Sequence, residues 1–194
     1  HVIEWRYKGM VVGVHKIEQR TFNDKKTYEN IVQFLEEHAT VKESKRQIIY
    51  KYRCTYDFRA LVEKDRMVLR MRKGNVDEDI LVAVSYEDHE KMLDILRLLG
   101  HTLDTKWYRL RKLFTYQDLE ITLDKTFRYG YVISVSIELP RDQVKDGTEK
   151  LYHFFEQFHI VLTSPEQFYQ QYHHYLTNWY EYTKDIDDST FFEK

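Results

Sequence analysis

Three stretches of this chain carry basic side chains at every second position, with apolar residues between them: residues 4–8, 68–72 and 108–113. Successive side chains of a β-strand point to opposite faces, so each stretch would send its charges to one face of a sheet. One such strand is typical of an ordinary sheet with a solvated outer face. The recurrence of the pattern, together with carboxylates on other alternating strands, predicts a charged, concave interior that binds anions.

Composition limits the kind of partner. The 194 residues include 30 Lys and Arg against 32 Asp and Glu, a formal net charge of −2. An anionic partner must therefore be met by local clustering of cations, which argues against a general nucleic-acid binder or a reader of DNA sequence. We find no apolar run near the roughly 18 residues that span a bilayer and no signal-peptide core, and we expect a cytoplasmic protein without a membrane partner. The single cysteine, Cys54, has no partner for a disulfide or a zinc site, and we expect it to be buried.

Periodicity predicts an α+β fold with seven or eight strands and four helices. Apolar residues at helical spacing predict helices over Lys25–Ala39 and over Tyr86–Leu99, the second ending at Gly100. Ser164 followed by Pro165 predicts the start of a further helix. A strand is expected over Val2–Val14, and the β-rich stretch over Gln47–Glu63 is followed by several antiparallel strands. With few glycines and prolines and no linker, we predict one domain over residues 1–182 and a loosely held tail over 183–194.

A polar strand face suits a closed barrel. An antiparallel barrel of about eight strands has room for one small ligand, and the amphipathic helices would then cover its outside. Arginine binds phosphate oxygens bidentately, and facing carboxylates can hold Mg²⁺ or Mn²⁺. The residues that share strand faces by this alternation are Glu4, Arg6 and Lys8; Lys51 and Arg53; Arg70 and Arg72; Arg109 and Arg111; Glu120, Thr122 and Asp124; and Ser134, Ser136 and Glu138.

The order of these motifs resembles the CYTH, or triphosphate tunnel metalloenzyme, superfamily. Its members carry Glu-x-Glu-x-Lys in an opening strand, then an "LR-x-R" strand, a helix ending in "LG", a "K-x-R-x-x-aromatic" strand, an "LD" strand and a closing Glu-x-Glu strand. After the opening strand, the corresponding stretches here are residues 69–72, 98–100, 109–114, 121–124 and 135–138. The resemblance extends from about Val2 to Leu139, and the serial order is more specific than any single motif.

The resemblance implies an eight-stranded tunnel that binds triphosphates, in a superfamily that includes inorganic, thiamine and RNA triphosphatases and adenylate cyclases. Arg70, Arg72, Arg109 and Arg111 retain basic positions of the family, with Arg109 where lysine is usual. The strand over Ile80–Val84 lacks the basic residue often found there, and the glutamate pairs are incomplete. In the opening strand, one register places Val2, Glu4 and Arg6 at the family positions, and the other places Glu4, Arg6 and Lys8. Either register lacks one glutamate, and the closing strand has Ser136 where the first glutamate of its pair is expected.

The implied site divides into three groups of residues. The triphosphate would be bound by Arg6, Lys8, Arg53, Arg70, Arg72, Arg109 and Arg111. Mg²⁺ or Mn²⁺ would be held by Glu4, Glu138 and Asp124, with Glu120 as an alternative to Asp124, and would orient a water for attack on the terminal phosphorus. Glu120 and Glu138 are the catalytic candidates, Glu120 as the group that positions the water.

Three functions follow from these residues. The first is a metal-dependent phosphohydrolase, a triphosphatase acting on inorganic triphosphate, a nucleoside triphosphate or an RNA 5′ end. The second is a non-catalytic module that binds a polyphosphate, a nucleotide or a protein partner, in which Glu4 and Glu138 form ion pairs with neighbouring arginines and hold no metal. The third is an adenylate cyclase. The nine histidines lack the spacing of zinc ligands, and we predict no zinc site.

Overall fold

The computed structural model describes residues 14–72 and 79–193, and these residues form eight β-strands and five α-helices. The opening strand predicted over Val2–Val14 lies almost entirely outside the described residues. The elements are β1 (Val14–Asn23), α1 (Lys25–His38), β2 (Thr40–Tyr52), β3 (Asp57–Val62), β4 (Arg66–Arg72), β5 (Asp79–Ser85), α2 (His89–Leu98), β6 (Leu103–Tyr116), β7 (Leu119–Thr126), β8 (Gly130–Pro140), α3 (Val144–Gln157), α4 (Pro165–Thr183) and α5 (Asp188–Glu193).

The predicted helix ends are confirmed where capping residues mark them. At the end of α2, Gly100 adopts the left-handed conformation (φ 84°), and the backbone N–H of His101 donates to the Leu96 carbonyl at 3.0 Å. This arrangement closes the helix in the way that favours glycine. At the start of α4, the Ser164 hydroxyl accepts from the Gln167 N–H at 3.2 Å, and the Gln167 side chain accepts from the Ser164 N–H at 2.9 Å. This reciprocal capping box satisfies two N–H groups at the helix start.

The β-rich stretch over Gln47–Glu63 contains two strands, β2 and β3, joined at residues 53–56. This connection contains no glycine or proline, and so the sequence does not mark it as a turn. Cys54 lies in it and is exposed. The expectation of a buried cysteine was therefore wrong, because the residue lies in the connection and not within a continuous strand.

All eight strands belong to one antiparallel sheet in the order β1-β8-β7-β6-β2-β3-β4-β5. The α+β class is confirmed. In the part of the chain that the structure describes, the hydrogen-bonded order has β1 and β5 as its two ends and does not close. Closure of the sheet into a barrel therefore stays a prediction.

The chain divides into two compact units, each with its own apolar core. The first unit comprises described residues 46–72, 79–109 and 176–193. Its core lies on one face of β2, β3 and β4, where α2 and α5 contribute apolar side chains. The buried members are Ile48, Tyr52, Phe58, Ala60, Val62, Met67, Leu96 and Tyr108, with Phe191 and Phe192 of α5 packed against them.

The predicted tail over 183–194 is anchored to this first core. The Asp188 carboxylate accepts hydrogen bonds from the Tyr50 hydroxyl at 2.6 Å, from the Lys106 ammonium at 2.6 and 2.8 Å, and from the Tyr108 hydroxyl. Arg46 donates to the Phe191 carbonyl at 2.8 Å. Burial raises the pKa of Asp188, but these hydrogen bonds outweigh burial and hold it below its ordinary value. Helix α5 of this segment thus docks on the first core.

The second unit comprises described residues 14–45 and 110–175. Helices α1 and α3 pack on one face of β7 and β8, and the buried core contains Tyr28, Ile31, Leu35, Phe114, Leu119, Ile121, Leu123, Ile133, Val135, Ile137, Leu139, Leu151, Phe154 and Phe155. In both units the odd and even positions of a strand separate an apolar face from a charged one. None of the described helices combines the length and apolar character needed to cross a bilayer.

Candidate anion-binding site

Three cations of the first unit lie in one row across neighbouring strands. Lys51 of β2 stands directly opposite Arg59 of β3, and Arg59 stands directly opposite Arg70 of β4. We call Lys51, Arg59 and Arg70 the basic row. Like charges that face each other across a sheet are destabilising, so this register favours an anion close by.

The basic row is only partly hydrated. The side chains of Lys51, Arg59 and Arg70 are 24%, 28% and 22% exposed, respectively. The next residues on the same face are Ile49, Leu61 and Val68, which stand opposite one another and form an apolar border. Partial burial beside apolar side chains lowers the local dielectric and strengthens any interaction of these cations with an anion.

On its other side, the basic row borders Asp57, Arg72 and Asp79, which also stand opposite one another. We call these three the mixed row. Asp57 accepts from Arg59 at 2.7 Å and from Arg70 at 3.2 Å. Arg72 forms a fork with Asp79, with bonds of 2.9 and 3.2 Å. The carboxylates of the mixed row thus hold the guanidinium groups in fixed orientations.

Burial and neighbouring charges both shift the pKa of Asp57 and the pKa of Arg70. Burial raises the pKa of Asp57, but the hydrogen bond from Arg59 and the charges of Arg59, Arg70 and Lys51 outweigh it and hold the pKa below its ordinary value. Burial, followed by the charge of Arg59, lowers the pKa of Arg70, against the opposing charges of Asp79 and Asp57. The Nε of Arg70 is buried and has no acceptor among the described residues. This orphaned donor marks a place where an anion oxygen would be favourable.

Arg53 comes directly after β2, two residues beyond Lys51, whereas Arg109 of β6 contacts Gln47 of β2. Arg53 is 76% exposed and lies 3.9 Å from Asp104, which also lies 3.6 Å from Lys51. Arg109 donates to the Gln47 amide oxygen through Nε at 3.0 Å and through Nη2 at 2.5 Å. Among the described residues, the carboxylates of Asp57, Asp79 and Asp104 pair with the cations of these rows and with Arg53.

On the charged face of the second unit, cations also pair with carboxylates of other strands. Arg111 of β6 forms a bidentate pair with the buried Asp124 of β7, with bonds of 2.7 and 2.6 Å. Burial lowers the pKa of Arg111, but the hydrogen bond and charge of Asp124 outweigh it and raise the pKa above its ordinary value. The Lys16 ammonium of β1 lies 3.4 Å from the Glu120 carboxylate of β7.

The residues predicted from the sequence are therefore distributed as follows. Arg53, Arg70, Arg72 and Arg109 lie in the first unit, whereas Arg111, Glu120, Asp124 and Glu138 lie in the second. Glu4, Arg6 and Lys8 lie outside the described residues. Arg70 and Arg72 share one strand face, as the alternation predicts.

Sequence reasoning missed Arg59 as a site residue, and it missed the charged face of β1. The alternation of Asp57 and Arg59 with Phe58 and Ala60 is the signal that could have found the first. In β1, which pairs with β8, Lys16, Glu18 and Arg20 stand opposite Glu138, Ser136 and Ser134. The charged alternation of these three residues is the signal visible in the sequence.

The Mg²⁺ or Mn²⁺ site that the resemblance implies stays a prediction, since one of its ligands, Glu4, lies outside the described residues. Among the residues that the structure describes, no group of three or more His, Cys, Asp or Glu side chains could hold a metal ion. Asp124 has both oxygens bound by Arg111, and Glu120 is paired with Lys16. Each of these carboxylates is thus already neutralised by a cation of the chain.

No family model matches this sequence, and no curated protein sequence matches it. Solved structures do resemble it. A protein from Vibrio parahaemolyticus named as a putative adenylate cyclase aligns with a TM-score of 0.57 and 15% identity, covering 81% of this chain and 99% of that one. A protein from Bacillus halodurans with the same name aligns with a TM-score of 0.55 and 14% identity, covering 83% and 99%.

A third solved structure, a conserved hypothetical protein from Pyrococcus furiosus, aligns with a TM-score of 0.57 and 12% identity, covering 76% of this chain and 92% of that one. These likenesses extend over most of both chains at low identity. They show that this chain shares the fold of the three proteins.

Proposed function

We propose that the first unit binds a linear polyanion of the triphosphate class on the basic row, and that it does so without a divalent metal. The observation that carries the proposal is the register that brings Lys51, Arg59 and Arg70 side by side on a partly buried face. Neighbouring strands lie about 4.8 Å apart, so three cations on three strands extend over about 10 Å. Such a row suits several linked phosphates better than a single one.

Arginine chemistry supports the same ligand. The guanidinium groups of Arg59 and Arg70 are oriented by Asp57, so they lose little freedom when an anion binds. The buried Nε of Arg70 offers a donor to a phosphate oxygen. Tripolyphosphate, a nucleoside triphosphate and a 5′-triphosphorylated RNA share this chemistry. Arg109 and Arg111 are bound to Gln47 and Asp124, and we leave them out of the proposed contacts.

A binding experiment tests the proposal. Tripolyphosphate is titrated calorimetrically into the protein in EDTA, with Arg70→Gln as the variant. Arg97→Gln is the matched control, because Arg97 lies in the same unit on the exposed face of α2, where it pairs with Asp94. We expect Arg70→Gln to weaken binding at least tenfold and Arg97→Gln to leave it within twofold. Equal affinities for the two variants, or no binding by the parent protein, would refute the proposal.

Turnover of the bound triphosphate is the second candidate function, and it has its own support. Two proteins that share the fold are named as putative adenylate cyclases, and the CYTH resemblance includes both cyclases and triphosphatases. Release of phosphate and formation of cyclic AMP are measured from tripolyphosphate, ATP and 5′-triphosphorylated RNA, each with Mg²⁺ or Mn²⁺. Phosphate release would identify a triphosphatase, and cyclic AMP would identify a cyclase. Binding of the triphosphate without formation of either product would favour a non-catalytic binding module.

A further inference from the structure

We infer that Lys16 takes the place of a divalent cation on the charged face of the second unit. The family resemblance implies that Glu138 holds a metal and that Glu120 acts beside it, yet these carboxylates do not form a metal cluster in the described structure. A side chain of this chain supplies positive charge at the same place. The inference concerns the second unit alone and does not depend on polyanion binding by the first.

Lys16 is related to both carboxylates, to Glu138 by strand register and to Glu120 by side-chain contact. Lys16 lies on β1, its Cα is directly opposite that of Glu138 on β8, and β8 lies between β1 and β7. Its ammonium nevertheless lies 3.4 Å from the Glu120 carboxylate of β7. The side chains of Lys16 and Glu120 therefore meet over β8, the strand that carries Glu138.

Lys16 lies on a strand face that carries more carboxylates than cations. Glu18 follows on the same face of β1, and the register places Glu18 and Glu120 on the two sides of Ser136. Arg20 contributes a second positive charge through its Nε, which lies 4.0 Å from Glu18 and donates to the Ser134 hydroxyl at 3.1 Å. Glu120 is thus paired with Lys16 and Glu18 with Arg20, and Glu138 stands opposite Lys16.

In this inference, the residue at position 16 decides whether this strand face can bind a divalent cation. A glutamate there would stand opposite Glu138 and within reach of Glu120, which gives three oxygen donors on one face. Mg²⁺ and Mn²⁺ prefer such oxygen ligands. The lysine offsets the repulsion between these carboxylates, and its positive charge disfavours binding of a divalent cation.

The test is a gain of metal binding by Lys16→Glu. Binding of Mn²⁺ alone is measured by the loss of the free-ion electron paramagnetic resonance signal, without any phosphate compound. The control is Lys42→Glu, which makes the same change of charge at an exposed position of β2 in the same unit. We expect Lys16→Glu to bind Mn²⁺ at least tenfold more tightly than the parent protein and Lys42→Glu to match the parent.

Two results would overturn the inference. One is a parent protein that binds Mn²⁺ as tightly as Lys16→Glu does, and the other is a Lys16→Glu variant that binds no more tightly than Lys42→Glu. Circular dichroism checks that each variant is folded. If Lys16→Glu does not fold, Lys16→Gln replaces it with Lys42→Gln as its control, and at least threefold tighter Mn²⁺ binding by Lys16→Gln is then expected. The absence of that gain would equally overturn the inference.

Discussion

The two units use the same strand alternation but differ in what their charges meet. In the first unit, register sets Lys51 beside Arg59 and Arg59 beside Arg70, so like charges adjoin. In the second, Arg111 meets Asp124 and Lys16 meets Glu120, so opposite charges pair. Carboxylates contact the cations of both faces, Asp57 and Asp104 in the first unit and Asp124 and Glu120 in the second. The side-by-side cations of the first face, and not the number of arginines, are therefore what favours a bound anion there.

The largest effect is expected from breaking the buried pair of the second unit. Asp124→Asn leaves the guanidinium of Arg111 without its counter-charge in a largely buried position. We expect a loss of about 3 kcal/mol in the free energy of unfolding, typical of a buried ion pair that loses one partner. Urea denaturation measures this loss. An unchanged urea midpoint would show that the Arg111–Asp124 pair contributes nothing to the stability of the fold. The proposed difference between the two charged faces would then be wrong.

A smaller effect with a different readout is expected in the first unit. Arg59→Gln removes one member of the basic row, and tripolyphosphate affinity should fall about tenfold, as expected when one charge-assisted hydrogen bond is lost. Arg20→Gln makes the same change on the charged face of the second unit and should leave the affinity unchanged. Calorimetric titration measures both variants. A larger loss for Arg20→Gln would reverse the assignment of the ligand to the first unit.

The acid side of the stability profile tests the orienting role of Asp57. Its pKa in the folded protein is lower than in the unfolded chain, so its ionised form stabilises the fold at neutral pH. That contribution is complete above the unfolded pKa, near 4, and is lost as the pH falls through the lower folded value. Urea unfolding between pH 7 and pH 2 should show a shallower acid loss for Asp57→Asn than for the parent protein. Identical slopes would contradict this role.

The smallest effect is expected from the exposed pair of the second unit. The side chains of Lys16 and Glu120 are 40% and 51% exposed. Ion pairs of this kind contribute at most about 0.5 kcal/mol, so Glu120→Gln should barely change the free energy of unfolding. The same urea experiment measures it beside Asp124→Asn. A loss as large as that of Asp124→Asn would mean that the two ion pairs stabilise the fold equally, whatever their burial.

Local signals in the sequence predicted much of the fold. Helix α2 ends at Gly100 and α4 begins after Ser164 because their capping groups lie within a few residues of the helix ends. The alternation over residues 68–72 likewise places Arg70 and Arg72 on one face. Such features depend on neighbours in the chain, which the sequence displays directly.

Features that depend on pairing between strands could not be read in the same way. The connection at residues 53–56 has no glycine or proline, so the sequence does not show where β2 ends and β3 begins. It therefore does not show that Lys51 stands opposite Arg59. The exposure of Cys54 was hidden for the same reason. The pairing of Lys16 with Glu120 joins residues 104 positions apart, and only the strand order reveals it.

The docking of α5 has a consequence for the order in which the units can fold during synthesis. Every buried residue of the second core precedes residue 156, whereas the first core is completed by Phe191 and Phe192. The hydrogen bond from Tyr50 to Asp188 closes a separation of 138 residues. Contacts so distant in sequence form slowly, and apolar strand faces stay exposed until they do. The buried residues of the second core are thus all synthesised before α5, and the first core lacks part of its apolar cover until α5 docks.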